Sequence, residues 1–187
     1  MKKYTTLLFV FLFMNSTTLC AQDVAGANIA ESLQFEKNNL VLNGAGLREK
    51  FVFDIYAAGL YLMTPTSDAN DIINKNEFMA IKLHMLRDIS GQDMADAIFE
   101  GFEHALDGNT TPLRAEINSF LEIFGNEAAN GNVYQFNYVP GQGMKVFIND
   151  KLVKTIEGIE FKRALIAIWL GDKPAQESLK KSLLSLS

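Results

Sequence analysis

Leu42-Asn43-Gly44-Ala45-Gly46-Leu47-Arg48 runs through Glu49-Lys50 into Phe51-Val52-Phe53-Asp54-Ile55-Tyr56-Ala57-Ala58-Gly59-Leu60-Tyr61-Leu62, and the reading of this stretch decides the fold. Two glycines bracket an alanine just before a cation. Glycine reaches positive φ and has no Cβ, so the spacing predicts a sharp turn or a backbone passing close to another element. From Phe51 to Leu62 the residues are aromatic, branched or small, with Asp54 as the one charge. Such a segment is too apolar on both faces for a half-exposed strand and predicts a central strand covered on both sides. Arg48 then stands at the mouth of that strand as a permanent cation, since its pKa is above ~12. If the apolar wall beside it lines a cavity, the fitting guest is an apolar molecule with an acidic or enolate end.

Upstream, a short polar leader precedes Ser32-Leu33-Gln34-Phe35 and Leu40-Val41-Leu42, which flank Glu36-Lys37-Asn38-Asn39 as in a hairpin with asparagines at its turn. Downstream, Thr64-Pro65-Thr66 ends the central strand near Met63, and Ser67, Asp68 and Asp71 before Ile72-Ile73 predict a short capped helix. Phe78 to Leu86 alternates Lys82 and His84 against Ile81, Leu83 and Met85, the pattern of a strand. Ser90-Gly91-Gln92-Asp93 has the spacing of a capping box, and Met94, Ile98, Phe102, Ala105 and Leu106 fall on one helical stripe that Gly108-Asn109 ends. A second helix is expected from near Pro112 to about Gly125, with Leu113, Ile117, Phe120, Leu121 and Phe124 apolar. Asn132 to Val139, Lys145 to Ile148 and Leu152 to Ile156 read as a meander with turns at Pro140-Gly141-Gln142-Gly143 and Asn149-Asp150. Ile159 to Leu170 is helical in period, Gly171 stops it, and Lys173-Pro174 separates a last short helix. Strands, helices, strands and helices in that order favour an α+β fold with a largely antiparallel sheet.

Gly44-Ala45-Gly46-Leu47-Arg48 followed by Gly59-Leu60-Tyr61-Leu62 resembles the chalcone isomerase family, whose plant members carry a similar glycine-rich turn with an arginine and then a G-V-Y-L strand end. The resemblance is strongest toward its bacterial chalcone isomerase-like members. It continues through Leu86-Arg87-Asp88-Ile89-Ser90-Gly91-Gln92 at a helix start, then Phe161-Lys162-Arg163-Ala164-Leu165 and Ile168-Trp169-Leu170-Gly171-Asp172-Lys173-Pro174, with Leu179-Lys180 and Leu183-Leu184 beyond. It implies a chalcone isomerase-like open-faced sandwich, a largely antiparallel sheet with helices packed on one side. It also implies a role for Arg48. The matching arginine meets a developing oxyanion in the isomerases and a carboxylate in the related plant fatty-acid-binding proteins, tasks that suit the forked, charged donors of a guanidinium.

The rest of the isomerase set is not carried over. Aligning Gly59 with the family's strand glycine puts Tyr56 where the isomerases have a threonine, and Ser90-Gly91-Gln92 puts Met94 at their catalytic tyrosine. Their lysine and asparagine fall on Met85 and Gly101. Methionine cannot donate the hydrogen bond that stabilises an enolate or positions a water. These replacements make a cavity greasier and more adaptable to irregular guests.

Met1-Lys2-Lys3, the apolar run from Leu7 to Met14 and the small residue ending Ser16-Thr17-Thr18-Leu19-Cys20-Ala21 predict a signal peptide, cleaved after Ala21 to leave one secreted or periplasmic domain over 22–187. Bulky Leu19 directly before Cys20 disfavours a lipid-anchored reading. The apolar run is shorter than the roughly 20 residues of a spanning helix, and no other segment comes closer, so the mature chain is expected to have no membrane span. Loss of Lys2 and Lys3 takes the formal charge from −5 to about −7. An acidic chain without a basic run argues against nucleic acid and against an anionic membrane surface, both of which need clustered Lys and Arg. Cys20, the only cysteine, leaves with the leader, so the mature chain has no disulfide.

The candidate ligand-binding residues are Arg48, Tyr56, Met85 and Met94. Tyr56 and Tyr61 lie on opposite faces of one strand, so one can enter a cavity while the other packs; Tyr56 reads equally as a hydroxyl assisting Arg48 and as plain packing. His84 and His104 have no partner at ligand spacing, so no metal site is expected. Phe99, Phe102, Phe120, Phe124 and Trp169 sit at helical spacings and read as core. Ser32, Ser90 and the terminal serines have no nearby base. The chain has no P-loop, dinucleotide fingerprint or calcium loop, hence no expected cofactor. The leading expectation is a non-catalytic binder of a small apolar acid such as a fatty acid, its anion on Arg48 and its tail against Met85 and Met94. The rival is an isomerase, an intramolecular lyase of the chalcone isomerase type acting through Arg48 and Tyr56. A third reading is a structural accessory of the envelope, the cavity filled by side chains.

Overall fold

The computed structural model describes residues 21–125 and 128–186, so the expected signal peptide lies outside the described residues except for Ala21. A two-stranded hairpin, β1 (Ala21–Val24) and β2 (Ala27–Ala30), precedes a seven-stranded antiparallel sheet: β3 (Ser32–Phe35), β4 (Asn38–Lys50), β5 (Phe53–Leu62), β6 (Met79–Met85), β7 (Val133–Val139), β8 (Gly143–Ile148) and β9 (Lys151–Ile156). Spatial order is chain order. Helix α1 (Ala69–Asn74) joins β5 to β6, α2 (Gly91–Ala105) and α3 (Arg114–Leu121) join β6 to β7, and α4 (Ile159–Leu170) and α5 (Glu177–Leu183) follow the sheet. The sheet curls until its first strand meets its sixth: the Phe35 and Phe147 rings stand 6.0 Å apart, and Lys145 Nζ lies 2.7 Å from Glu36 Oε1.

Helices pack on one face, as the resemblance to the chalcone isomerase family implies. Tyr56, Ala58, Leu60 and Leu62 of β5 and Ile81, Leu83 and Met85 of β6 join Phe102 of α2, Phe120 of α3 and Phe161 and Leu165 of α4 in the main core. Phe120 is its hub, with ring centroids 5.4 to 6.1 Å from those of Phe102, Phe124, Phe136 and Phe161. Helix α4 is buried nearly all round, Lys162 included. That ammonium donates to the carbonyls of Ile72, Ile73 and Lys75 at 2.6, 2.9 and 3.0 Å, supplying donors to the C-terminal end of α1.

The opposite face corrects the reading of a polar leader. Hairpin β1–β2 turns at Ala25-Gly26, both at positive φ, and drives Ile29 into a second cluster with Leu40, Ala45, Ala57, Tyr61 and Ala80. Tyr61 donates its hydroxyl to Ala30 O at 3.0 Å. Only Ala27 and Ile29 of β2 are buried, too short an alternation to register as a strand. Strand β5 is thereby covered on both faces from Tyr56 to Leu62, while Phe51 and Val52 form the exposed turn of the β4–β5 hairpin. The β3–β4 hairpin turns at Glu36-Lys37, and the asparagines expected in that turn are the opening residues of β4.

The glycine-rich stretch is a place of close approach rather than a turn. Strand β4 runs straight through it, and a Cβ on Gly44 would lie 2.2 Å from Ser182 O, one on Gly46 2.6 Å from Ser182 Cβ. Bare backbone is what allows α5 to lie on β4. A bulge between Leu42 and Gly44 leaves Asn43 unpaired in the ladder. Its buried amide donates to Leu183 O and accepts from Thr66 N–H, both at 2.8 Å, tying α5 to the loop after β5.

Candidate functional site

Arg48, Tyr56 and Met85 are neighbours in one row across β4, β5 and β6, on the helix side of the sheet. A second bulge, directly after Arg48, releases the strand toward the hairpin tip. Between this end of the sheet and α2 opens a cavity of about 770 Å³, within the range typical of small-molecule sites. Its inner wall is apolar, with Leu83, Phe120, Phe136, Ile168 and Trp169, and Met94 closes it from the first turn of α2. The rim is charged: Lys50 and Arg87 stand on the strand side, Asp93, Asp96 and Glu100 on the helix side.

Arg48 and Tyr56 both line this cavity. Arg48 is half-buried, and its Nη1 donates to Glu49 O at 2.6 Å and to Gln176 Oε1 at 3.0 Å. Both acceptors are neutral, and among the described residues no carboxylate pairs with it. The Tyr56 hydroxyl accepts from Trp169 Nε1 at 2.9 Å. Burial pushes this phenol above its ordinary pKa, with Trp169 and the Arg48 guanidinium pulling it partly back. It is therefore a neutral O–H at working pH. With its oxygen occupied by Trp169, its proton remains to be donated. A guanidinium and a phenol proton at one end of an apolar chamber suit an acceptor-only group such as a carboxylate.

The structure separates the four expected residues. Arg48, Tyr56 and Met94 face the cavity, whereas Met85 packs shut in the core beyond Tyr56 and is not among its walls. The expected role of Met85 in holding a ligand tail is corrected accordingly: Leu83, one pleat along β6, occupies that place. Gly101 has no space for a side chain, since its Cβ would lie 2.8 Å from Ile168 Cγ2. His104 stands at the rim, and His84 is on the far face of the sheet. Sequence reasoning passed over two further residues. Trp169 reads as core from its helical spacing, and Gln176, which also accepts from Glu49 N–H at 2.9 Å, carries no local signal at all.

The profile of a family described as chalcone isomerase-like matches residues 21–185. The chain belongs to that family. Among solved structures, this chalcone isomerase-like chain is similar to a fatty-acid binding protein of Arabidopsis thaliana, with a TM-score of 0.70 and 17% identity over 85% of this chain and 92% of that one. At such identity the likeness speaks for the fold. No curated protein matches the chain by sequence. The cavity of this family member is lined by Arg48, Tyr56, Met94 and Gly101 among others.

Proposed function

We propose that the protein is a non-catalytic binder of a small apolar acid, a fatty acid being the best fit. The carboxylate bonds to Arg48 and the Tyr56 hydroxyl, and the chain lies against Met94, Leu83, Ile168 and Trp169. The observation that carries this reading is the half-buried, acid-free guanidinium at the end of an apolar cavity of about 770 Å³. A half-buried guanidinium bonded only to neutral acceptors keeps its charge available to an anionic group. The fold shared with a plant fatty-acid binding protein supports the same class of ligand.

Delipidated protein is expected to unfold at higher temperature with saturated fatty acids, with an optimum chain length, and Arg48→Ala to lose most of the gain. Absence of a shift at every chain length overturns the reading. Incubation with a chalcone tests the isomerase alternative: ring closure well above the uncatalysed rate, lost in Tyr56→Phe, would replace binding by catalysis. The sequence of residues 1–21 adds the proposal that binding takes place outside the cytoplasm. Intact mass of the exported protein should correspond to cleavage after Ala21.

A further inference from the structure

Among the described residues, Phe51 and Val52 are the most exposed large apolar side chains, at 91% and 87%, and Phe53 follows at 51%. They are consecutive, at the tip of the β4–β5 hairpin. Phe51 also has φ of 58°, a left-handed conformation that disfavours a bulky residue and favours Gly or Asn. A tip of this shape would be more soluble and less strained with turn residues, so its apolar character serves something outside the molecule.

The surroundings indicate what that is. Arg87 stacks its guanidinium over the Phe53 ring, 4.2 Å from the centroid, and Lys50 precedes the tip. Phe51, Phe53, Lys50 and Arg87 are themselves walls of the cavity mouth. We propose that the tip docks the protein on a phospholipid bilayer. Phe51 and Val52 enter the interfacial layer, Lys50 and Arg87 sit among the headgroups, and the mouth opens against the membrane in which an apolar acid dissolves. The purpose of docking rests on the binder reading, although docking itself needs no ligand.

A second protein surface fits less well, because a two-residue tip offers little of the ~800 Å² per partner that a stable interface uses. The acids on the α2 side of the mouth and the formal charge of −5 make attachment apolar rather than electrostatic. The expected result is co-sedimentation of delipidated protein with phosphatidylcholine vesicles, little changed by salt and not strengthened by adding phosphatidylglycerol. The Phe51→Ser/Val52→Ser variant should partition about tenfold more weakly, as the lost apolar area requires, while unfolding at a temperature no lower than that of the parent protein, since its turn is less strained.

Failure of the parent protein to bind these vesicles, or equal binding by the variant, overturns the proposal. So does attachment that vanishes at high salt. Dimeric parent protein that becomes monomeric in the variant, with no vesicle binding in either, would assign the tip to a second copy of the chain. The two readings fail separately: absence of fatty-acid stabilisation, with its dependence on Arg48, concerns the cavity, and absence of vesicle binding concerns the tip.

Discussion

The charge of Arg48 is steadied by a backbone carbonyl and a side-chain amide, so it is oriented without being neutralised. Gln176→Ala removes that amide and leaves the Glu49 N–H without its partner. Fatty-acid affinity by calorimetry should fall several-fold, in keeping with about 1 kcal/mol for one hydrogen bond, and unchanged affinity would show that Gln176 is a bystander. Trp169→Phe should raise the Tyr56 pKa further, because a donor that holds it down is gone; tyrosinate absorbance in an alkaline titration measures this. At this scale Arg48 was legible, since an arginine between a glycine-rich stretch and an apolar segment is a local pattern. Gln176 lies 128 positions away from the arginine it steadies, and no local pattern reports such a partner.

Elements depend on single contacts that their own sequences do not advertise. Gly44→Ala would force a methyl into the backbone of α5, 2.2 Å from Ser182 O and 2.7 Å from Leu183 O. Chemical denaturation should show a loss of about 1–3 kcal/mol or more, the usual range for overpacking, and a loss below a few tenths would mean that α5 slides freely over β4. Lys162→Met should destabilise by a similar amount, because three carbonyls at the end of α1 lose their donor. Hydrogen exchange confined to α1 would distinguish local fraying from global loss. The limits of α4 were readable to the residue, since periodicity and Gly171 both mark them. Hairpin β1–β2 was not, because its stability comes from Ile29 meeting β5 rather than from its own pattern.

The whole molecule should show an alkaline stability profile set by opposing groups. Burial lowers Lys162 from 10.5 to about 8, so its contribution is fully present above pH 10.5 and is lost as pH falls through 8. Burial raises Tyr61 from 10.0 to about 12, and Tyr56, Tyr134 and Tyr138 are raised as well. Their contribution is complete below pH 10 and is lost as pH climbs toward 12. Denaturation midpoints should rise from pH 8 to a maximum near 10 and then drop steeply; Lys162→Met should flatten the rise and leave the fall. A midpoint that declines steadily from pH 8 would contradict this account.

By itself the sequence determined the strands and helices from Ser32 onward and that a cation stands at the end of an apolar strand. Periodicity, capping and turn residues act over a few positions, so they survive being read along a line. The tertiary structure alone decided that bare glycines seat α5, that Leu83 rather than Met85 walls the cavity, and that Trp169 and Gln176 dress Tyr56 and Arg48. Each of those depends on which distant surfaces come within a few ångströms when the sheet curls and the helices close on it, and distance along the chain carries no record of that.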